Sequence, residues 1–212
     1  MTDLDILANL HGTNKSWHGY MPFYDKLFNN LKDMPIMLLE IGIENGGSLL
    51  SWKDYFKQGI IYGIDLNIPD RLKGLDRIIT GIADQSNRDQ LFQLMTNWNL
   101  PKYDIIIDDG GHTVRQQRVS IETLWPLLKP GGYYIIEDLH TNIRSLHYIH
   151  PHLNKDSTHS IHVDEQPTIH DRILNIMGGS DKEFIFPTSE IAEIYYFNCP
   201  NTLSLSCAFK KK

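Results

Sequence analysis

The stretch IMLLEIGIENGGS, residues 36–48, decides the fold. Residues 36–41 form an apolar run that begins after Pro35, ends at Gly42 and carries one acid, Glu40, near its end. A Gly-rich turn follows, and the amphipathic stretch 49–57 then reads as a helix, so the unit is strand, turn, helix. The alternation recurs downstream. Residues 59–64 predict a strand ending at Asp65, 77–80 a short strand, 85–98 a helix, and 103–107 a strand ending at Asp108 and Asp109. Residues 114–128 predict a helix stopped by Pro130-Gly131-Gly132, and 133–136 a strand ending at Glu137 and Asp138. The strands are continuous apolar runs without polar alternation, as expected when helices cover both faces of a parallel sheet. The predicted fold class is a doubly wound, Rossmann-like α/β sheet.

Towards the C-terminus the pattern weakens through a polar stretch that holds seven of the ten histidines: His140, His147, His150, His152, His159, His162 and His170. Residues 168–177 look like a helix, and 191–197 and 203–209 like two strands close enough to form an antiparallel hairpin. We expect one domain over 1–212, with 1–34 as an N-terminal helical cap segment and 140–167 as a His-rich insertion able to act as a lid. Apart from His140, placed near the fifth strand, these histidines do not repeat a helix-based metal motif and read as polar loop residues.

Composition narrows the function classes. The 26 acidic and 20 basic residues give a net charge of −6, without the cationic excess that binds phosphate backbones, so nucleic acid is not an expected partner. No run approaches the ~18 apolar residues of a membrane span, and the start MTDLDILANLHG has no signal-peptide character. Two cysteines, Cys199 and Cys207, make neither a disulfide framework nor a four-cysteine metal site. The expectation is a cytoplasmic protein that does not bind membranes.

In an open parallel sheet, ligands bind outside the carboxyl ends of the strands. There this sequence places Glu40, Gly42 and Gly46, then Asp65, then Asp84 and Gln85, then Asp108 and Asp109 with His112, then Glu137 and Asp138 with His140. A dinucleotide fold asks for G-x-G-x-x-G, but Glu44 stands in the second glycine's place and would set a carboxylate where a phosphate belongs. S-adenosylmethionine has no phosphate and carries a cationic sulfonium, so it suits this acidic turn. Asp65 is placed to accept hydrogen bonds from ribose hydroxyls. The plainer alternative is a close-packed turn with a helix-capping acid.

Asp109, Glu137 and Asp138 end neighbouring strands, at a strand spacing of ~5 Å. Like charges that close require a proton or a cation between them, and hard oxygen ligands favour Mg2+ over zinc. His112 follows Asp109 across Gly110-Gly111 and is suited to act as general base near neutral pH. Capping of the helix near Val114 by Asp108 or Asp109, capping of a later turn by Asp138, and a merely exposed His112 form the competing account.

The segments HGTNKSWHGYMPFYD (11–25), LLEIGIENGGSLLSWKDYF (38–56), YGID (62–65), YDIIIDDGGH (103–112) and LLKPGGYYIIEDLHT (127–141) together resemble the metal-dependent class I O-methyltransferases of macrolide sugar tailoring. The resemblance implies a class I methyltransferase sheet, whose mark is the C-terminal antiparallel hairpin. It implies that Asp109, Glu137 and Asp138 hold Mg2+, that His112 takes the proton from a sugar hydroxyl, and that Gly42, Asp65, Asp84 and Asp108 line an S-adenosylmethionine pocket. The expected partner is a small glycosylated or sugar acceptor, and fold-level analogy alone suggests a homo-oligomer. The chain departs from the family at Asn14, where Asp is usual, and at Gly111, where Ser is usual. A catechol-like diol acceptor, a role like that of cephalosporin-hydroxylase relatives, and a nucleoside-binding protein without chemistry are the other readings.

Overall fold

A computed structural model describes residues 1–142, 169–171, 173, 188–199 and 204–212. Five α-helices have both ends among the described residues: α1 (Asp3–His11), α2 (Tyr20–Phe28), α3 (Gly47–Tyr55), α4 (Arg88–Asn97) and α5 (Val114–Leu124). Seven strands, β1 (Met37–Ile41), β2 (Ile60–Asp65), β3 (Ile78–Ile82), β4 (Tyr103–Asp108), β5 (Leu128–Ile136), β6 (Ile191–Cys199) and β7 (Ser204–Lys211), form one sheet in the order β3-β2-β1-β4-β5-β7-β6. The first five run parallel, and β7 is antiparallel to both β5 and β6. This is the doubly wound sheet with a C-terminal antiparallel pair that the sequence predicts. Of the expected helix at 168–177, residues 169–171 and 173 are described and are helical. The proposed lid at 140–167 lies outside the described residues beyond 142.

The core explains why the strands lack alternation. Leu39 and Ile41 of β1 face one apolar cluster, with Ile64, Leu91, Ile106, Ile121 and Ile136. Leu38 faces the other, with Tyr24, Trp52, Ile61, Ile105 and Ile107. Both faces of the central strands are buried, each large apolar side chain contributing about 1.5–3 kcal/mol, so no polar position is tolerated except at the strand ends.

Helix starts follow local chemistry. Thr2 and Asp5 close a capping box on α1, Asn87 accepts from the amides of Asp89 and Gln90 at α4, and Thr113 with Gln116 forms a capping box on α5. One boundary differs from the expectation. The helix predicted over 114–128 ends at Leu124, because Pro126 turns the chain into a 3-10 segment, Trp125–Leu127. Strand β5 then begins at Leu128 and carries Pro130-Gly131-Gly132 through an irregularity of its pairing with β4, so these residues lie within the strand and do not stop the helix.

Candidate active site at the carboxyl ends of the strands

A cavity of about 680 Å³ opens above the carboxyl ends of β1, β2, β3 and β4, within the size range of small-molecule sites. Topology places it there, since the strand order reverses between β1 and β4 and leaves a crevice. Gly42, Asp65, Asp84 and Gln85 form its wall, and Asp109, His112 and Asp138 lie at one end. Glu40, Gly46, Asp108 and Glu137 stand outside this lining. Glu40, Asp108 and Glu137 are buried beneath it, and Gly46 begins α3 with φ 85°.

Each wall residue is fixed by its neighbours. Asp65 Oδ2 accepts from the amides of Ile43 at 2.6 Å and Glu44 at 3.2 Å, which holds the Gly-rich turn in place. Gly42 has φ 90°, and a β-carbon there would stand 2.0 Å from the carbonyl oxygen of Asp109, so the β1 turn and the β4 loop touch backbone to backbone. Gln85 ties three elements together: its Nε2 donates to Asp108 Oδ1 at 3.0 Å and Ser120 Oγ at 3.1 Å, and its Oε1 accepts from the Gly111 amide at 2.6 Å. Asp84 Oδ1 accepts from the amide and hydroxyl of Ser86, both at 2.8 Å. Burial pushes the Asp108 carboxyl up to about 7, against the donation of Gln85 and Ser120.

The acids at the end of β4 do not cap α5, whereas Asp138 directly precedes the 3-10 turn Leu139–Asn142 and its carbonyl accepts from the Thr141 amide at 3.1 Å. Thr113, and neither Asp108 nor Asp109, caps α5. Asp138 has φ 54°, a left-handed conformation that a non-glycine residue adopts at a cost and that recurs at functional sites. Its carboxylate is part of the cavity lining: Oδ2 lies 3.4 Å from His112 Nε2 and Oδ1 lies 3.9 Å from His140 Nδ1. Burial alone would raise the Asp138 carboxyl, but His112 and His140, together with donation from Tyr20 and the nearby His18, hold the group below its ordinary value.

The cation expected between Asp109 and Glu137 is present within the chain itself. Lys15 Nζ pairs with Asp109, lies 2.6 Å from Glu137 Oε1 and 3.2 Å from Glu40 Oε1, and its side chain is 1% exposed. Burial would lower the lysine's pKa, yet the charges of Asp109, Glu137 and Glu40 hold it well above its ordinary value, so it stays an ammonium. Burial, and next the charge of Asp109, push the Glu137 carboxyl upward. Two tyrosines complete the arrangement. Tyr24 donates to Glu137 Oε1 at 2.5 Å and Tyr20 donates to Asp138 Oδ1 at 2.6 Å, and burial raises both phenols well above their usual range, so both remain donors.

Two groups of side chains bring ligand atoms within 4.8 Å of one another among the described residues: Asp109, His112 and Asp138, and Glu40, Asp109 and Glu137. Asp109 belongs to both, whereas the adjacent Glu137 and Asp138 fall on different sides. Mg2+ is tested by the donor set. Three carboxylates, Glu40, Asp109 and Glu137, face the one ammonium, and Asp109 and Asp138, 22% and 14% exposed, reach the cavity with hard oxygen atoms. One or two carboxylates and water suffice for Mg2+, so the residues fit it. Lys15 and Tyr24 are the parts of this site that residue patterns do not reveal, and for Tyr20, as for Trp17 and His18, the sequence leaves a place in the pocket and a packing contact both open. Their one sequence signal is the segment 11–25, whose resemblance to the tailoring enzymes carries no assigned role for them.

Known proteins resemble this chain in sequence and in fold. Residues 39–139 match a family described as a methyltransferase domain. The chain is 38% identical over 148 residues to 8-demethyl-8-(2-methoxy-α-L-rhamnosyl)-tetracenomycin-C 3'-O-methyltransferase of Streptomyces olivaceus, an alignment covering 66% of this chain and 37% of that protein. It is 37% identical over 148 residues to demethylmacrocin O-methyltransferase of Streptomyces fradiae, with the same coverage. The solved MycE methyltransferase of the mycinamycin pathway, in complex with Mg and SAH, superposes with a TM-score of 0.72 at 27% identity, over 99% of this chain and 55% of that one. The chain thus has the class I methyltransferase fold and spans well under half the length of the curated relatives it matches. No helix among the described residues is long and apolar enough to cross a membrane.

Proposed function

We propose that this chain, whose homologues are sugar O-methyltransferases of the macrolide and tetracenomycin pathways, transfers a methyl group from S-adenosylmethionine to a hydroxyl of a sugar on a small glycosylated metabolite, with Mg2+ as cofactor. The observation that carries the reading is the meeting of Asp109, His112 and Asp138 at one end of a cavity walled by Gly42, Asp65, Asp84 and Gln85. Asp65, Asp84 and Gln85 offer polar atoms to the cofactor's ribose and adenine, and Gly42 lets the backbone approach it. Glu40, Gly46 and Asp108 support that wall from behind.

Asp109 and Asp138 are the proposed cavity-side ligands, whereas Glu137, which the sequence offers as a third, is buried and engaged by Lys15 and Tyr24 on the other side of Asp109. When bound, Mg2+ lowers the pKa of the acceptor hydroxyl and fixes its direction. His112 accepts the hydroxyl proton as the oxygen attacks the methyl carbon. The carbon–sulfur bond breaks, and S-adenosylhomocysteine leaves with the electron pair on sulfur. Asp138, 3.4 Å from the imidazole, stabilises the charge His112 then carries. The rest of the effect is positioning of the attacking oxygen in line with the breaking bond. Cys199 and Cys207 are unpaired thiols, in keeping with a reducing cytoplasmic setting, and the acidic net charge of −6 favours a small acceptor over nucleic acid.

Calorimetric titration of S-adenosylmethionine and of NAD into metal-stripped protein tests the cofactor assignment. Saturable binding of S-adenosylmethionine with none of NAD is expected. The reverse preference, or binding of neither, refutes the reading.

A further inference from the structure

We infer that Lys15 is a built-in cation of the active site, filling a three-carboxylate cage that would otherwise take a metal and so restricting the site to one divalent ion on its cavity side. The inference rests on the proposed metal reading for the cavity side alone. The cage is Glu40 at the end of β1, Asp109 after β4 and Glu137 after β5, three acids from neighbouring strands that converge on one ammonium.

Each acid of the cage is also held by a group other than the lysine. Trp52 Nε1 on α3 holds Glu40 Oε2 at 3.0 Å, and Tyr24 on α2 holds Glu137 Oε1 at 2.5 Å. Asp109 is seated by its backbone, its amide donating to the Ile41 carbonyl at 2.9 Å. Lys15 arrives separately, on the 3-10 turn Asn14–Ser16 that Thr13 caps. The carboxylate oxygens lie within 4.8 Å of one another, and opposite ligands of a Mg2+ or Mn2+ ion stand roughly 4.2 Å apart at ~2.1 Å from the ion, so the space an ammonium fills also suits a small divalent cation. Asp109 faces both positions and would bridge two metals as carboxylates do in two-metal sites. With Lys15 in place, one position is already neutralised by a charge that cannot leave.

Mn2+ titration of metal-stripped full-length protein, followed by electron paramagnetic resonance and by thermal melting, tests this. Wild type is expected to bind one Mn2+. Lys15→Met is expected to bind two, with the spectral broadening of coupled ions, and its melting midpoint, lowered by about 10 °C in EDTA, is expected to recover in Mn2+. A Lys15→Met protein that binds no more ions than wild type, or whose midpoint stays depressed in Mn2+, overturns the inference. If that variant does not fold in EDTA or Mn2+, Lys15→Met combined with Glu40→Gln removes one charge from the cage: a folded protein with one Mn2+ more than wild type supports the inference, and an unfolded one overturns it. Wild type that binds no Mn2+ while Lys15→Met gains one ion would refute the cavity-side metal reading and leave the role of Lys15 standing.

Discussion

The phenolic oxygen of Tyr20 stands 2.6 Å from Oδ1 of Asp138, so the N-terminal helix α2 holds the carboxylate that follows the last parallel strand. Asp138 is strained at φ 54° and sits beside two imidazoles, and this hydroxyl is one of the groups that fixes its orientation. Outer partners of metal-binding carboxylates commonly contribute 10–100-fold in affinity, so Tyr20→Phe is expected to weaken Mn2+ binding by about that factor while preserving the fold. Calorimetry of Mn2+ with both proteins measures it, and equal affinities would remove Tyr20 from the site.

Gly42 supports a second prediction. With φ at 90°, and only 2.0 Å between the place a β-carbon would take and the Asp109 carbonyl, the turn has no room for a side chain. Gly42→Ala should cost about 2 kcal/mol or more, lower the melting midpoint by about 5 °C, and weaken divalent binding through the displaced Asp109 loop. A variant with wild-type stability would show that the turn can move away without loss.

Much of this is legible in the residues, and the parts that are not have physical reasons. The strands at 36–41, 59–65 and 103–108 stand out because burial on both faces leaves only apolar residues until a functional acid ends each run. The acids at 65, 84, 109 and 138 are legible through topology alone, since the carboxyl ends of parallel strands share one rim. Lys15 and Tyr24 are not, and Tyr20 stays open between pocket and packing, because they reach the rim through tertiary packing of α2 and its preceding turn, and a tyrosine on a helix looks the same whether it fills a core or holds a carboxylate. Nor does spacing show that Glu137 and Asp138 face different partners, which follows from the left-handed turn at Asp138. Pro126 is the stop signal of α5, masked in the sequence by the stronger Pro-Gly-Gly signal that follows it.

Trp17 supplies a prediction on acceptor recognition. Its indole is 63% exposed at the cavity, packed edge-on against His18, which in turn stacks on Tyr20. A flat apolar face held this firmly beside the site suits the CH face of a sugar ring. Trp17→Ala should raise the KM for a glycosylated acceptor about tenfold and leave the affinity for S-adenosylmethionine unchanged. An unchanged acceptor KM would place the acceptor elsewhere.

His112 is assigned the acceptor's proton. His112→Ala should lower kcat by about 10²–10⁴-fold, the usual contribution of a general base, with S-adenosylmethionine binding preserved. Steady-state kinetics at saturating cofactor decides this, and a kcat within a few fold of wild type would assign the proton to another group.

Methyl transfer itself is best tested by S-adenosylhomocysteine formation with a panel of rhamnosylated polyketides and catechols, in Mg2+ and in EDTA, for wild type and Asp138→Asn. One S-adenosylhomocysteine per methylated sugar hydroxyl is expected in Mg2+, with loss of turnover in EDTA and in Asp138→Asn, and with cofactor binding intact in that variant. Turnover that persists undiminished in EDTA, or methylation of catechols alone, would contradict metal-assisted sugar O-methylation.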